Sequence, residues 1–401
     1  MKVCLIVPTL LPIPAVMGGA VESLMTNLIY KNEEKGKMKL CVITRYNKEA
    51  KKLANKLRRT DFVFLKECKI KQKLYEGIII TWMRNVYKRI HHTDKVSDLL
   101  ALDYEEMKIW RAVKRKQPDY IVVEGGDIEK YKLYTEYFGR EKMCLHLHSE
   151  FLTWPRIDEI YGKIITVSEF AKSRYMTLSD RDESTVKVVK NCANDDDFLF
   201  QINKAERDLI RQELGFGENN IVVIFCGRII PEKGVKELLD AVLHIKDDRI
   251  RLIIIGSVNF KMNEESGYYN KVREIVENNS ERIKYLGYID NSLLYKYYQC
   301  ADIQVVPSIW QEVAGIVTIE GMYSGLPLIV TNSGGMVEYV DNHCAIKVEL
   351  NENLVTSLEN AIIWMMNNEK EREKMSIAAK ERAKSFTKEV YYDSFYTCLR
   401  G

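Results

Sequence analysis

The chain reads as an α/β protein made of two open parallel-sheet domains, and three observations predict this. Short apolar runs alternate with segments of helical period almost from end to end, as parallel sheets covered by helices require. The 401 residues exceed one compact core and suit two domains of roughly 200 residues each. Charge also divides. Through Lys190 there are 36 Lys and Arg against 25 Asp and Glu, a net +11, and the remainder carries 24 against 32, a net −8, so the +3 of the whole chain conceals a basic half and an acidic half. Such a division suggests two domains that meet different partners.

The strand candidates of the first half are Val3–Pro8, Lys39–Arg45, Asp61–Leu65, Asp119–Glu124, Met143–His148, Lys163–Val167 and Val186–Lys190. The second half repeats the scheme with Ile221–Gly227, Arg251–Gly256, Ile283–Gly287, Asp302–Pro307, Leu328–Thr331 and Ala345–Val348. These runs are apolar continuously instead of alternately, as strands buried on both faces must be. Asn191 to Asn220 is polar and acidic with a helical piece from Ala205 to Leu214, and reads as the linker. The reading divides the chain into domains 1–195 and 196–385, with a cleft between the carboxyl ends of their strands, where ligands of open α/β sheets bind. The last segment, 386–401, holds an aromatic-rich helix from Lys388 to Leu399 (Tyr391, Tyr392, Phe395, Tyr396) that is expected to cross back onto the first domain.

Composition excludes several classes. At 46% apolar and 29% charged the chain is neither long disorder, nor a collagen-like repeat, nor a fibrous coil. No run of about 18 apolar residues occurs, and Val3–Val7 is followed by Pro8, Pro12 and Pro14, so neither a spanning helix nor a signal segment is read. A cytoplasmic protein is expected, or one peripheral on the inner face of the plasma membrane. Nine cysteines without a CxxC pair predict buried, reduced thiols. No helix-turn-helix, zinc or RNP-like pattern accompanies the basic runs, so no nucleic-acid partner is expected.

Four constellations carry chemistry. Gly18-Gly19 precedes a helix expected over Glu22–Lys31, where backbone amides and the helix dipole could receive an anion, with Glu22 as a dipole partner. The pair reads equally as a turn without ligand, and Gly125-Gly126 reads as a turn. In Gly227-Arg228-Ile-Ile-Pro231-Glu-Lys233-Gly234, a buried strand ends and a helix begins, so Arg228 and Lys233 could hold a diphosphate and neutralise it as a leaving group. A solvated basic turn is the equal alternative. The third run, Pro307 to Pro327, has Glu312 and Glu320 separated by seven residues. On one helix they would stand about 80° apart, so Glu312 is placed in the loop before Gly315 and Glu320 within an apolar helix, where it needs a hydroxyl or N–H partner. The fourth is Cys144-Leu-His146-Leu-His148-Ser149-Glu150, whose strand alternation puts both histidines on one face, His148 toward the cleft and His146 as a satisfied core or inter-element histidine. A zinc site is rejected for lack of matching ligands, and Asp195-Asp196-Asp197 reads as a solvated acidic turn.

With these pieces in order the chain resembles the family-4 retaining glycosyltransferases of the GT-B fold, two Rossmann-like domains facing across a cleft. The resemblance rests on Gly18-Gly19, Ile165-Thr-Val-Ser168-Glu169, Val189-Lys-Asn191, Gly227-Arg228 with Lys233-Gly234, Tyr285-Leu-Gly287 and Ala301-Asp302 with Pro307-Ser308. It continues through the Glu312-x7-Glu320 run, Gly325-Leu-Pro327 and Gly334-Gly335 with Glu338. It implies that Glu320 binds the ribose hydroxyls of a nucleotide sugar, that Arg228 and Lys233 bind its diphosphate, and that Glu312 lies by the transferred sugar. The backbone of Ala314, Gly315 and Ile316 would touch sugar and phosphate, Gly18 and Gly19 would complete the phosphate cradle, and His148 would approach the donor sugar. The expected catalytic group is thus Glu312, Arg228, Lys233 and His148, with no metal and no cofactor. Two positions depart from the family pattern: Ala314 stands where an aromatic is usual, implying a differently shaped sugar pocket, and Ser149 stands where an acidic or amide residue usually follows the histidine.

The function this implies is transfer of a hexose or N-acetylhexosamine, from a UDP-sugar as the family's commonest carrier, to a glycan or lipid-linked acceptor in cell-surface polysaccharide synthesis. The basic half, including Lys51-Lys52, Lys56, Arg58-Arg59, Arg84 and Lys88-Arg89, would then contact an anionic membrane or acceptor. The alternatives are a soluble sugar-phosphate or protein acceptor, or a non-catalytic nucleotide-binding partner subunit.

Overall fold

The computed structural model describes residues 1–9, 11–66, a few positions between 72 and 86, 102–149, 156–258 and 267–401. Arg84, Lys88, Arg89 and Glu150 lie outside the described residues. Each expected apolar run forms a strand. The first sheet holds β1 (Lys2–Ile6), β2 (Lys39–Arg45), β3 (Thr60–Leu65), β4 (Tyr120–Val123), β5 (Met143–Leu147), β6 (Lys163–Thr166) and β7 (Val186–Val188). All its pairs are parallel, in the order β3-β2-β1-β4-β5-β6-β7. The second holds β8 (Ile221–Cys226), β9 (Ile250–Ile255), β10 (Ile283–Tyr285), β11 (Ile303–Val306), β12 (Leu328–Thr331) and β13 (Ala345–Val348), again parallel, in the order β10-β9-β8-β11-β12-β13. Pro307, directly after β11, brings no N–H to the ladder, so that strand stops one residue short of its apolar run.

Both faces of each sheet are covered, which is why the strands are apolar throughout. One face of the first sheet packs Ile6, Ile43 and Ile121 against Trp110 and Tyr134, and the other packs Leu5, Val42 and Val122 against Leu24 and Leu28 of the helix Ala20–Lys35. That helix runs beyond its expected end to Gly36, whose left-handed φ of 66° lets its N–H close on the Asn32 carbonyl. The eight described cysteines carry free thiols, seven of them buried. No helix among the described residues is long and apolar enough to cross a membrane.

The helix Lys388–Arg400 seats Tyr391, Tyr392, Phe395 and Leu399 in the core of the first sheet, beside Val3, Leu5 and Leu24. Its polar edge is fixed by the Tyr392 hydroxyl on Asn32 Oδ1 (2.8 Å) and by Lys35 on Asp393 (2.7 Å). Lys163 Nζ takes up the carbonyls of Cys398 and Leu399 at 2.7 and 3.0 Å, answering the negative end of the helix.

One feature between the halves differs from expectation. Asp195-Asp196-Asp197 is helical instead of a turn, and of the three only Asp196 is exposed. The run opens a short helix, Asp195–Leu199, and receives Lys388, whose side chain is 6% exposed and lies 3.5 Å from Asp195 Oδ1 and in contact with Asp196. A buried ammonium demands carboxylates, and this run supplies them. The linker packs on the second half. Its helix Lys204–Glu213 is fastened to the second sheet by Arg207 and Arg211, both on the Asp302 carboxylate at 2.6 and 2.7 Å.

Further contacts join the halves directly. The N–H groups of Glu169 and Phe170, which open the helix Glu169–Met176, donate to the Glu338 carboxylate at 3.0 and 2.7 Å. The Tyr339 hydroxyl donates to the Val167 carbonyl (2.7 Å) and accepts from the Asn191 N–H (3.0 Å). A Cβ on Gly335 would stand 2.4 Å from Ser168 Oγ, so only glycine permits this approach.

Candidate functional site

In each sheet the chain order reverses between two neighbours, β1 and β4 in the first, β8 and β11 in the second. Loops leaving such neighbours diverge and open a crevice at the carboxyl ends of the strands. Gly18-Gly19 follows β1, Glu124 ends the run of β4, His148 follows β5, Arg228 follows β8, and Glu312 follows β11. Topology alone therefore brings the chemistry-bearing residues toward one place.

The second-sheet group is built around close loop contact. After β8, Pro231–Lys233 makes one tight turn and Gly234 (φ 66°) starts the helix Val235–His244. A Cβ on Gly234 would lie 1.9 Å from the Pro307 carbonyl oxygen, so glycine is what lets the β8 and β11 loops touch. Through that contact Lys233 Nζ ion-pairs with Glu312 Oε1, which also accepts from Ser308 Oγ at 2.8 Å. Glu312 stands in the loop and Glu320 within the helix Ile316–Tyr323, which Gly315 precedes. The Tyr298 hydroxyl donates to Glu320 Oε2 at 2.9 Å. Burial pushes the Glu320 carboxyl up to about 7, the Tyr298 hydrogen bond pulling the other way.

A pocket of about 300 Å³ gathers His148, Arg228, Lys233, Glu312, Ala314, Gly315 and Ile316 on one wall system, with Asn191 and the first residues of the helix Ala20–Lys35. The helix Ile316–Tyr323 points its amino end into it, and with Arg228 and Lys233 this makes a place for an anion. Gly18, Gly19 and Glu320 are not among its lining residues. Gly19 (φ 97°) lies directly before the lining residue Ala20, and a Cβ on it would stand 2.1 Å from a carboxylate oxygen of buried Glu22. One anion of the chain's own thus sits beside the glycine pair.

The first sheet contributes a group of which the sequence reading names only the histidines. His146 is fully buried, the core or inter-element histidine expected, with Nε2 lacking a hydrogen-bond partner among the described residues. Its Nδ1 lies 2.9 Å from Glu124 Oε2, and His148 Nε2 hydrogen-bonds that same oxygen at 2.7 Å. Burial alone would raise the Glu124 carboxyl, yet the two histidines outweigh it and hold it at about 2. The ligand types said to be missing for a metal do meet here, since the ligand atoms of Glu124, His146 and His148 all lie within 4.8 Å of one another. Glu124 was passed over because it is 22 residues from His146. The available signal was a charge ending the apolar run Tyr120–Val123, just before Gly125-Gly126. Tyr298, the partner of Glu320, carries no such mark.

Residues 206–382 match the family model of Glycosyl transferases group 1. Among curated proteins, the chain is 29% identical over 180 residues to the Uncharacterized glycosyltransferase MJ1607 of Methanocaldococcus jannaschii, covering 44% of each. It is 26% identical over 260 residues to the Lipopolysaccharide 1,2-N-acetylglucosaminetransferase of Salmonella typhimurium, covering 64% of this chain and 65% of that protein. With Spore coat protein SA of Bacillus subtilis the identity is 24% over 362 residues, 85% of this chain and 83% of the other. The chain thus spans less than two thirds of the length of the first two relatives. Among solved structures, a glycosyltransferase from Rickettsia africae ESF-5 aligns with TM-score 0.76 and 17% identity over 100% of this chain and 97% of that one. Anabaena Alr3699/HepE in complex with UDP and glucose aligns with TM-score 0.74 and 17% identity over 100% and 99%. The shared fold is the GT-B arrangement of two Rossmann-like domains.

Proposed function

We propose that the protein is a retaining glycosyltransferase that moves a hexose or N-acetylhexosamine from a UDP-sugar to a glycan or lipid-linked acceptor in cell-surface polysaccharide synthesis. The observation that carries this reading is the anion place formed by Arg228, Lys233 and the amino end of the helix Ile316–Tyr323, with the Glu312 carboxylate fixed beside it. A glycosidase has no need of such cations, whereas a departing diphosphate does. In this assignment residues 1–195 face the acceptor, residues 196–385 bind the donor, and the helix in 386–401 belongs with the acceptor side. UDP is supported by the HepE complexes, which hold UDP with or without glucose. A glycan acceptor is supported by the name of the Salmonella relative.

Arg228 and Lys233 take up the charge that develops on the diphosphate as the bond between the sugar C1 and the phosphate oxygen breaks. The acceptor hydroxyl forms its bond to C1 from that same face, and its proton passes to the leaving diphosphate. Fixed cations and amides supply the charge stabilisation that a metal would otherwise give, so no metal or cofactor is assigned. Glu320 takes the ribose hydroxyls, and the backbone of Ala314, Gly315 and Ile316 takes sugar and phosphate. Gly18 and Gly19 close the cradle from the first domain.

The basic half is assigned to an anionic membrane or acceptor. Lys2, Lys39, Arg58, Arg59, Arg115 and Lys116 border a pocket of about 530 Å³. It lies at the amino ends of β1 and β2, the far end of the sheet from the cleft. A thermal-shift screen of UDP-, GDP-, ADP- and dTDP-sugars, followed by turnover of whichever binds, tests the donor reading. Stabilisation and turnover by a UDP-sugar, both lost in Glu320→Ala, are expected; no binding and no turnover of any nucleotide sugar overturns it. Sedimentation with anionic liposomes at low salt is the expected sign of the membrane contact, and failure to sediment points to a soluble acceptor.

A further inference from the structure

Glu124 is a fully buried carboxylate whose placement follows from sheet register. β4 and β5 pair in parallel with Val122 opposite Cys144 and Val123 opposite Leu145. Continuing one step sets Glu124 beside His146, and the two-residue alternation of a strand sets His148 on that same face. The result is one carboxylate oxygen shared by two imidazoles, 2.7 Å from His148 Nε2 and 2.9 Å from His146 Nδ1. The rings lie 4.1 Å apart centre to centre, with Phe395 closing the far side of His146 at 5.9 Å. His148 lines the pocket that also holds Arg228, Lys233 and Glu312, whereas Glu124 and His146 do not. Whatever Glu124 does for a bound ligand it does through His148.

We infer that Glu124 is a positioning residue: it holds the His148 ring by Nε2–H and so leaves Nδ1 to the cleft as an acceptor for a hydroxyl of the transferred sugar. The inference rests on the nucleotide-sugar reading given above and adds to it which way the hydrogen bond to the sugar runs. A carboxylate can only accept, so the proton of a neutral His148 must sit on Nε2, the nitrogen that faces Glu124. With Nε2 turned to the Glu124 carboxylate at 2.7 Å, the other ring nitrogen, Nδ1, is the one left for a ligand. A ring so fixed asks its ligand for a donor, and a free sugar hydroxyl is one.

Four proteins test this: wild type, Glu124→Gln, His148→Ala and the double variant. Nitrogen-15 spectra of histidine-labelled free protein report the His148 tautomer without any substrate. The wild type is expected to carry the proton on Nε2 and Glu124→Gln to show a tautomer mixture; an unchanged tautomer in Glu124→Gln overturns the inference. Release of UDP from UDP-glucose is then measured. Glu124→Gln is expected to lower kcat about tenfold, the scale of one misdirected hydrogen bond, with UDP affinity unchanged by calorimetry. In the His148→Ala background the same change is expected to have no further effect, because its route is gone. Losses that multiply in the double variant overturn the positioning role in favour of a purely structural one. Stoichiometric zinc uptake by wild type that disappears in Glu124→Gln also overturns it, since the carboxylate would then be a ligand. Failure of the wild type to bind UDP strikes the donor reading instead, and the tautomer measurement reads His148 in either case.

Discussion

Lowering the pH from 8 to 6 should weaken UDP-glucose binding about tenfold, and Glu320→Gln should abolish most of that dependence. The Glu320 carboxyl titrates at about 7 because it is desolvated within an apolar helix, with the Tyr298 hydroxyl as its hydrogen-bond partner. Ribose hydroxyls donate to it, so they favour the ionised form. Affinity is therefore full above pH 7 and is lost as the pH falls through it. About nine tenths of the carboxyl is ionised at pH 8 and about one tenth at pH 6, which sets the roughly tenfold change. UDP-glucose is the right probe, since its esterified diphosphate takes up no proton in this interval. His148 titrates below its ordinary value and stays neutral over most of the window. Calorimetry at several pH values, in two buffers of different ionisation enthalpy, would show a proton released on binding near pH 6. The ligand-free protein should respond in the opposite sense. A carboxyl whose folded value is raised costs stability as the pH rises toward 7, so the melting temperature of Glu320→Gln should exceed that of wild type by more at pH 8 than at pH 6. An unchanged pH dependence of affinity in Glu320→Gln would falsify the assignment of Glu320 to the ribose.

Other perturbations have equally definite outcomes. Lys233→Ala removes both a diphosphate cation and the ion pair of Glu312, and kcat/KM for the donor should fall about 10²- to 10³-fold in steady-state assays; a loss under threefold would place the diphosphate elsewhere. Phe395→Ala opens a cavity in a fully buried aromatic cluster and should cost about 3–5 kcal/mol in the urea unfolding of the first half, even though the residue lies near the end of the chain. Glu338→Ala removes the acceptor of two helix-opening amides, at about 1 kcal/mol. Hydrogen exchange at Glu169 and Phe170 should quicken about fivefold, and an unchanged rate would mean that the contact between the halves contributes nothing there.

Much of the fold was legible because burial on both faces writes itself into each strand as an uninterrupted apolar run. Lys39–Arg45, Leu328–Thr331 and Ala345–Val348 match their strands to the residue. The loop position of Glu312 and the helical position of Glu320 were also readable, because Gly315 marks the boundary between them. Contacts between distant segments were not. Nothing local to Asp195-Asp196-Asp197 tells of Lys388, and nothing near His146 tells of Glu124, because each pairing is decided by which strands or helices become neighbours. The error over the acidic run came from judging charge by its own surroundings in sequence; the ammonium that neutralises it arrives almost 200 residues later.

The return of the last helix has a consequence for how the cleft can move. The chain leaves the first sheet after β7 and comes back to it through the turn Lys384–Phe386, so the second sheet is an insert held at both ends. Lys388, at the second crossing, reaches Asn194 Oδ1 (3.1 Å), Asp195 and Asp196 at the first. The two crossings are thus pinned side by side, like two knuckles of one hinge. A swing of the second half must turn about both together, so Arg228 and Lys233 approach or leave His148 along an arc about that common axis, and lateral slip of one half across the other is resisted at the pin.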